Sequence, residues 1–144
     1  MDSQVLSQKG SKLMPYLSWL LVALSIYSCS ARADYNIIIG FLILLLRSQY
    51  ASDKFKSFTK ASIHIILLSV IFDLIWLFEY YGYWKHGEDT SDLWKSLSLI
   101  HNTTYYLGIL EFLIKIPLIL FLYKQFVGLG GQIGELISLK YSQK

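Results

Sequence analysis

Apolar residues in this chain gather into four blocks separated by short polar stretches. The blocks run over residues 13–29, 35–46 with an extension to 50, 62–83 and 105–126. A helix crosses a bilayer core about 30 Å thick with about 20 mostly apolar residues, within a range of about 17–25. The first, third and fourth blocks meet that length. The second has only twelve uncharged residues between Asp34 and Arg47. It spans by extending to Tyr50 with Arg47 snorkelling toward the headgroups, or it sits partly re-entrant. The pattern predicts an all-α fold, a four-transmembrane-helix bundle that forms a single membrane domain over residues 1–144. The predicted spans are 13–29, 35–50, 62–83 and 105–126, with both termini on the same side, an outer loop at 85–104 and a short tail at 127–144.

Composition agrees with that pattern. The chain is 54% hydrophobic and 16% charged with a mean hydropathy of +0.45, whereas a soluble domain carries about a quarter charged residues. A net charge of +3 is too small to argue for nucleic acid, so the position of the charges matters more than their sum. With four spans, nine basic residues share one face: Lys9, Lys12, Arg47, Lys54, Lys56, Lys60, Lys124, Lys140 and Lys144. The other face has three, Arg32, Lys85 and Lys95, and Lys115 lies inside the fourth block. The positive-inside rule then puts both termini in the cytoplasm, or in the matrix of a mitochondrion.

Lys9, Lys12, the apolar run from Leu13 and Ala31-Arg32-Ala33 have the layout of a signal peptide; the segment is read as a retained first helix. The basic loop containing Lys54, Lys56 and Lys60 suits the surface of an anionic leaflet, at about 1 kcal/mol per basic residue, or simply sets topology. Between the third and fourth spans, Thr90 or Ser91 caps a short amphipathic helix carrying Leu93, Trp94, Leu97 and Ile100. Asn102-Thr103-Thr104 matches a glycosylation sequon, close to the start of the fourth span.

Charged residues inside the blocks are the candidate chemistry, because a charge at mid-bilayer costs about 2.5–3.5 kcal/mol on insertion scales. Asp73 lies eleven residues past Ser62, roughly 16 Å across, and Lys115 lies ten residues past Tyr105, roughly 15 Å down. Antiparallel neighbours therefore bring Asp73 and Lys115 to the same depth. Glu111, one turn before Lys115, competes for the same ammonium. Two readings follow: a polar site (proton path, ligand cavity or socket for a partner's charge), or an internal clasp that fixes helix pairing. The clasp is preferred, since three ionisable groups are few for a transport path and no pair of broken helices is visible.

His64 falls about 180° around the third helix from Asp73 and stays out of that cluster. Pro117 removes an amide donor, frees the Leu113 carbonyl and predicts a kink in the fourth helix. Gly130 and Gly131 end or loosen it as a C-terminal hinge. Cys29 alone offers neither a disulfide nor a metal site. The histidines at 64, 86 and 101 are scattered over both faces, and no catalytic triad or paired-His arrangement appears. The expectation is a protein that is no enzyme and carries no cofactor or metal.

Ile71-Phe72-Asp73, Leu113-Ile114-Lys115-Ile116-Pro117, Tyr123 eight residues past Lys115, and Gly130-Gly131 fifteen and sixteen past it together resemble the angiotensin II type-1 receptor-associated protein family. That family has a central Asp in an Ile-Phe-Leu-Asp context, a last span with Leu-Leu-Lys-Pro and a closing Gly-Gly-Glu. The likeness extends loosely over residues 15–135 and specifically over 70–131. Pro117 stands one position late, Gln132-Ile133-Gly134 intervenes before Glu135, and Glu111 is an extra charge. The resemblance is to a tail-less, divergent member. It implies a small four-helix protein of the endomembrane system (ER, Golgi, vesicle or vacuole), with the mitochondrial inner membrane as the alternative. The expected partners are membrane lipids and other integral membrane proteins. The expected role is accessory subunit of a multi-subunit membrane complex, or receptor and trafficking adaptor; the alternative is a small transporter or proton-conducting component using Asp73 and Glu111.

Overall fold

The computed structural model describes residues 3–29, 34–48, 54–85 and 98–138, and every regular element among them is a helix. The helices are α1 (Ser3–Ser28), α2 (Asn36–Ser48), α3 (Phe55–Lys85), α4 (Ser98–Gly128) and the short α5 (Ile133–Ile137). The expected amphipathic helix from Thr90 to Leu97 and the extension of the second span to Tyr50 lie outside the described residues.

Each long helix buries one stripe at helical spacing. On α1 it is Met14, Ser18, Leu21, Val22, Ser25 and Ser28; on α2 it is Asn36, Ile39, Gly40, Ile43 and Leu46. On α3 the stripe includes Phe55, Thr59, Ile63, Ile66, Ser69 and Asp73, and on α4 Thr104, Gly108, Glu111, Lys115, Leu118, Leu122 and Phe126. Polar residues are thus inside. The outward faces carry large apolar side chains, among them Tyr16, Ile38, Leu45, Phe72, Phe78 and Leu120. This polarity is the reverse of a water-soluble bundle, whose helices turn their polar faces outward.

Small buried residues let the helices approach. The hydroxyls of Ser18 and Thr59 donate to the carbonyls of Met14 and Phe55 (2.9 Å each), and that of Ser69 to Ile66 (2.7 Å), so they are satisfied within their own helices. Gly40 sits where α1 and α2 touch: a methyl group there meets the Val22 side chain and lies 3.0 Å from the Ser18 carbonyl. Around the bundle α1 packs on α2, α2 on α3, α3 on α4, and α4 closes back on α1, with the α2–α3 seam the loosest.

Two boundaries differ from the sequence expectation. The third helix begins at Phe55 rather than 62, because Phe55 and Thr59 already belong to the buried stripe; residues 55–60 are helix, not loop. The fourth begins at Ser98 rather than 105, continuing the Thr104 face outward by two turns. The second is described over Asn36–Ser48, 13 residues, about 20 Å of rise. Two helices, α3 over Phe55–Tyr81 and α4 over Ser98–Gly128, are long and apolar enough to cross a membrane, and Asn36–Leu46 is a shorter apolar helix. Pro117 lies inside α4, which continues to Gly128 without interruption.

Gly130 and Gly131 form the stop of α4. Gly130 takes a left-handed φ of 75°, its N–H bonds the Val127 carbonyl (2.9 Å), and the Gly131 N–H bonds the Phe126 carbonyl (3.0 Å). This pairing is the Schellman cap, in which glycine at the left-handed position closes the last turn.

Gly40→Val is expected to lower the thermal unfolding midpoint by several degrees by wedging α1 from α2. Gly128→Ala, which meets nothing within 4 Å, should leave it unchanged or raise it slightly. Unfolding of both purified variants followed by circular dichroism checks the contrast.

Candidate functional site

The interior polar residues form two linked groups where α1–α4 meet. In the first, Lys115 of α4 forms an ion pair with Asp73 of α3, Nζ to Oδ2 at 2.5 Å, with both side chains out of solvent. Asp73 receives a second hydrogen bond through Oδ1, from the Tyr35 hydroxyl at 2.6 Å, and that hydroxyl also lies 3.1 Å from the Ser69 carbonyl. The Tyr35 ring faces the ammonium, with Nζ 5.1 Å from its centroid, within cation–π range. One residue preceding α2 thus touches both members of an α3–α4 pair.

In the second group, Glu111 is fully buried and accepts from the Ser28 hydroxyl at Oε1 (3.0 Å) and from the Asn36 amide at Oε2 (2.8 Å). Asp34 stands beside it within hydrogen-bonding reach and caps α2 by accepting from the Asn36 N–H at 2.8 Å. Asp73, Glu111 and Lys115 are therefore brought together, but Lys115 points to Asp73 while Glu111 turns toward α1 and α2. Ser28, Asp34, Tyr35 and Asn36 were not singled out from sequence. Their signal was present: hydroxyl, carboxyl, phenol and amide groups flank a tight connection between two apolar runs, where depth places them against Glu111.

Below Lys115 the same α4 stripe is Leu118, Leu122 and Phe126, packed with Leu21, Ile43 and Ile66. The buried carboxyls and Lys115 lie toward the α1–α2 turn, whereas toward the far end apolar side chains surround the buried hydroxyls of Ser18, Thr59 and Ser62. Glu111 lies 13 residues after Ser98, so the α1–α2 turn sits about 20 Å below the start of α4.

The predicted basic loop has a different position and role. Lys54 precedes α3, whereas Lys56 and Lys60 lie on its first turns and hold the segment after α4. Lys56 bonds the Gly130 carbonyl (3.1 Å) and pairs with Glu135 at 2.8 Å; Lys60 donates to the Ser138 carbonyl at 2.5 Å. His64 places Nδ1 2.8 Å from the Lys60 carbonyl and Nε2 2.9 Å from that of Leu136. Only a ring protonated on both nitrogens donates to both. The hydrogen bond from Lys56 holds the Glu135 carboxyl below the usual carboxylate range.

On the outside, α2 and α3 border a groove of about 770 Å³ whose walls include Tyr35, Ile38, Phe72, Ile75 and Trp76, with Glu79 at one end. Trp76 stacks on Tyr80 (5.2 Å between centroids) and reaches Tyr105 (6.3 Å), where Tyr81 and Tyr106 also meet (5.9 Å each). Among the described residues no three His, Cys, Asp or Glu side chains cluster to hold a metal ion. Compared with family models, with curated proteins and with solved structures, the chain matches none.

Lys115→Met should cost about 3–5 kcal/mol by leaving Asp73 buried without its cation. Adding Asp73→Leu should recover much of the loss, as read from chemical unfolding of the single and double variants. Glu135, with a lowered folded-state pKa, stabilises docking of α5 at neutral pH. That contribution disappears as pH falls from the ordinary carboxylate range through the lowered folded-state value. A nitroxide label at Ile137→Cys should narrow its spectral lines over that range, and in a Lys56→Gln background should already be narrow at pH 7.

Proposed function

We propose that the chain is a non-enzymatic integral membrane protein whose α1, α2, α3 and α4 all lie within the bilayer, and that it holds another integral membrane protein as an accessory subunit or adaptor. Reversed polarity supports the bilayer setting: apolar side chains face out along all four helices while carboxylates, ammonium, amide and hydroxyls face in. The resemblance to the angiotensin II type-1 receptor-associated proteins, carried by Asp73, Lys115 and the Gly130-Gly131 step, favours the endomembrane system.

The groove between α2 and α3 carries the binding reading. It extends from Ile65 to Tyr80, about 22 Å along α3, a length that takes a single partner helix. Its walls are apolar and aromatic, which suits an anchoring surface. Glu79 is exposed at its end and complements a lysine or arginine on that helix. The conducting alternative gains less support, since the α4 stripe below Lys115 consists of Leu118, Leu122 and Phe126.

Native purification in mild detergent through a terminal tag should recover a discrete, stoichiometric membrane partner. Leu68→Trp, which fills the groove, and Glu79→Lys, which reverses its charge, should each lower recovery by about tenfold, equivalent to about 1.4 kcal/mol. Leu120→Ala on the opposite face should not. Recovery of the chain alone, or equal recovery from all variants, would sink the proposal.

A further inference from the structure

We propose that α5 is a proton-dependent latch: protonated His64 fastens it to the start of α3, and loss of that proton lets it go. Lys56, Lys60 and His64 stand at intervals of four residues on α3, one stripe at helical spacing. All three reach the segment after α4. Lys60 donates to the Ser138 carbonyl, and His64 Nε2 lies 2.9 Å from the Leu136 carbonyl. Lys56 donates to the Gly130 carbonyl and pairs with Glu135. Leu136 and Ser138 stand at the C-terminal end of α5, where a helix's last carbonyls lack partners within the helix and cationic side chains can supply them.

His64 differs from the two lysines in that its second donor is conditional. Its Nδ1 lies 2.8 Å from the Lys60 carbonyl, one turn back on the same helix, while Nε2 faces Leu136 of α5. Both neighbours are carbonyl oxygens, which accept and cannot donate. A neutral imidazole has one N–H and one bare lone pair, so either tautomer aims a lone pair at an oxygen. With the hydrogen on Nδ1, the lone pair on Nε2 repels the Leu136 carbonyl directly. With it on Nε2, the clash is with the Lys60 carbonyl, which is fixed in α3; the ring must turn and carries its N–H off Leu136. The imidazolium alone keeps both contacts, so the proton and the docked α5 stabilise each other.

Little else holds α5. It contains no buried residue, and Ile133 and Ile137 are exposed. Apart from the stripe of polar contacts, its attachment rests on Leu136, partly buried against the apolar core. One contact in this set therefore shifts the balance between docked and released. The charged residues on the elements packed here are Lys56 and Lys60 of α3 and Glu135 of α5; by sequence, α2 carries Arg47 and α4 carries Lys124 toward the same end. Glu135 is held below the usual carboxylate range by Lys56, so its own loss of charge belongs to more acidic solution. Release uncovers Lys60, which is buried while the segment is docked. The latch is independent of the groove between α2 and α3.

The test uses the full chain carrying Cys29→Ser, purified into lipid nanodiscs and spin-labelled at Ile137→Cys. Spectra are recorded from about pH 5.5 to 8, the range in which histidine side chains change charge. The ratio of immobile to mobile label should fall about tenfold as pH rises, the size of one hydrogen bond to a charged group. His64→Gln, which keeps an N–H donor without the charge, should give a ratio that does not change with pH. Lys56→Gln should lower the ratio at every pH while leaving the response to pH in place. His64→Lys, a cation throughout, should stay immobile at the alkaline end, and it carries the test if His64→Gln does not fold. A constant ratio in the parent chain, a ratio that rises with pH, a response that survives in His64→Gln, or release of His64→Lys at the alkaline end overturns the latch.

Discussion

The buried pair of Asp73 and Lys115 constrains the rest of the bundle. An ammonium and a carboxylate withdrawn from solvent are tolerated only while they face each other with their remaining donors and acceptors satisfied. Here Tyr35 completes the set by donating to Asp73 and turning its ring to Lys115. The α3–α4 register is thereby fixed at one level, and α2 is fixed to both. A shift of either long helix by one residue would break the ion pair, whereas the featureless apolar surfaces around it would slide at little cost.

From that level the interior divides. Toward the α1–α2 turn the packing is hydrogen-bonded and directional; toward the other end apolar side chains, Leu21, Ile43, Ile66, Leu118 and Leu122, surround the buried hydroxyls of Ser18, Thr59 and Ser62. The apolar half ends at the Schellman cap, where Lys56, Lys60 and His64 draw α5 back onto α3. Polar contacts thus pin both ends of a core whose middle is held by shape alone. Directional bonds at the ends specify the pairing, and the apolar middle supplies contact without dictating it.

Much of this was legible in the sequence, for identifiable reasons. Four apolar blocks mark four helices because each helix must bury an apolar stripe along its length. Counting residues placed Asp73 and Lys115 at one depth because helical rise is constant. Their ends were not legible: α3 starts seven residues before the apolar block because Lys56 and Lys60 belong to its first turns. A basic stretch looks like loop until its partners, the carbonyls of Gly130 and Ser138, are known. The fate of Glu111 was hidden in the same way. Its local neighbour Lys115 was the obvious partner, and only the tertiary position of Ser28 and Asn36 decides otherwise. Short-range spacing finds candidates for pairing; it cannot rank them against residues more than seventy positions away.

A single property, the shortness of α2, connects the two surfaces with functional interest. Among the described residues, a helix of 13 residues beside one of 31 leaves Trp76, Glu79 and Tyr80 beyond the start of α2, and the groove that α2 borders along Ile65 to Phe72 continues onto them. The same shortness sets the α1–α2 turn well below the start of α4, which brings Asp34 and Asn36 down to Glu111. A longer α2 would cover Trp76 and Glu79 and lift its polar N-terminus away from the buried carboxylate. Tyr35 stands at the junction, lining the groove with one edge and bonding Asp73 with its hydroxyl. Occupancy of the groove is therefore mechanically tied to the ion pair: a partner helix that displaced Tyr35 would strip Asp73 of its second donor. One that packed over Tyr35 would leave that donor in place on a pair already out of solvent. The geometry favours the second course, since the ring is already held from both sides by Phe72 and Lys115.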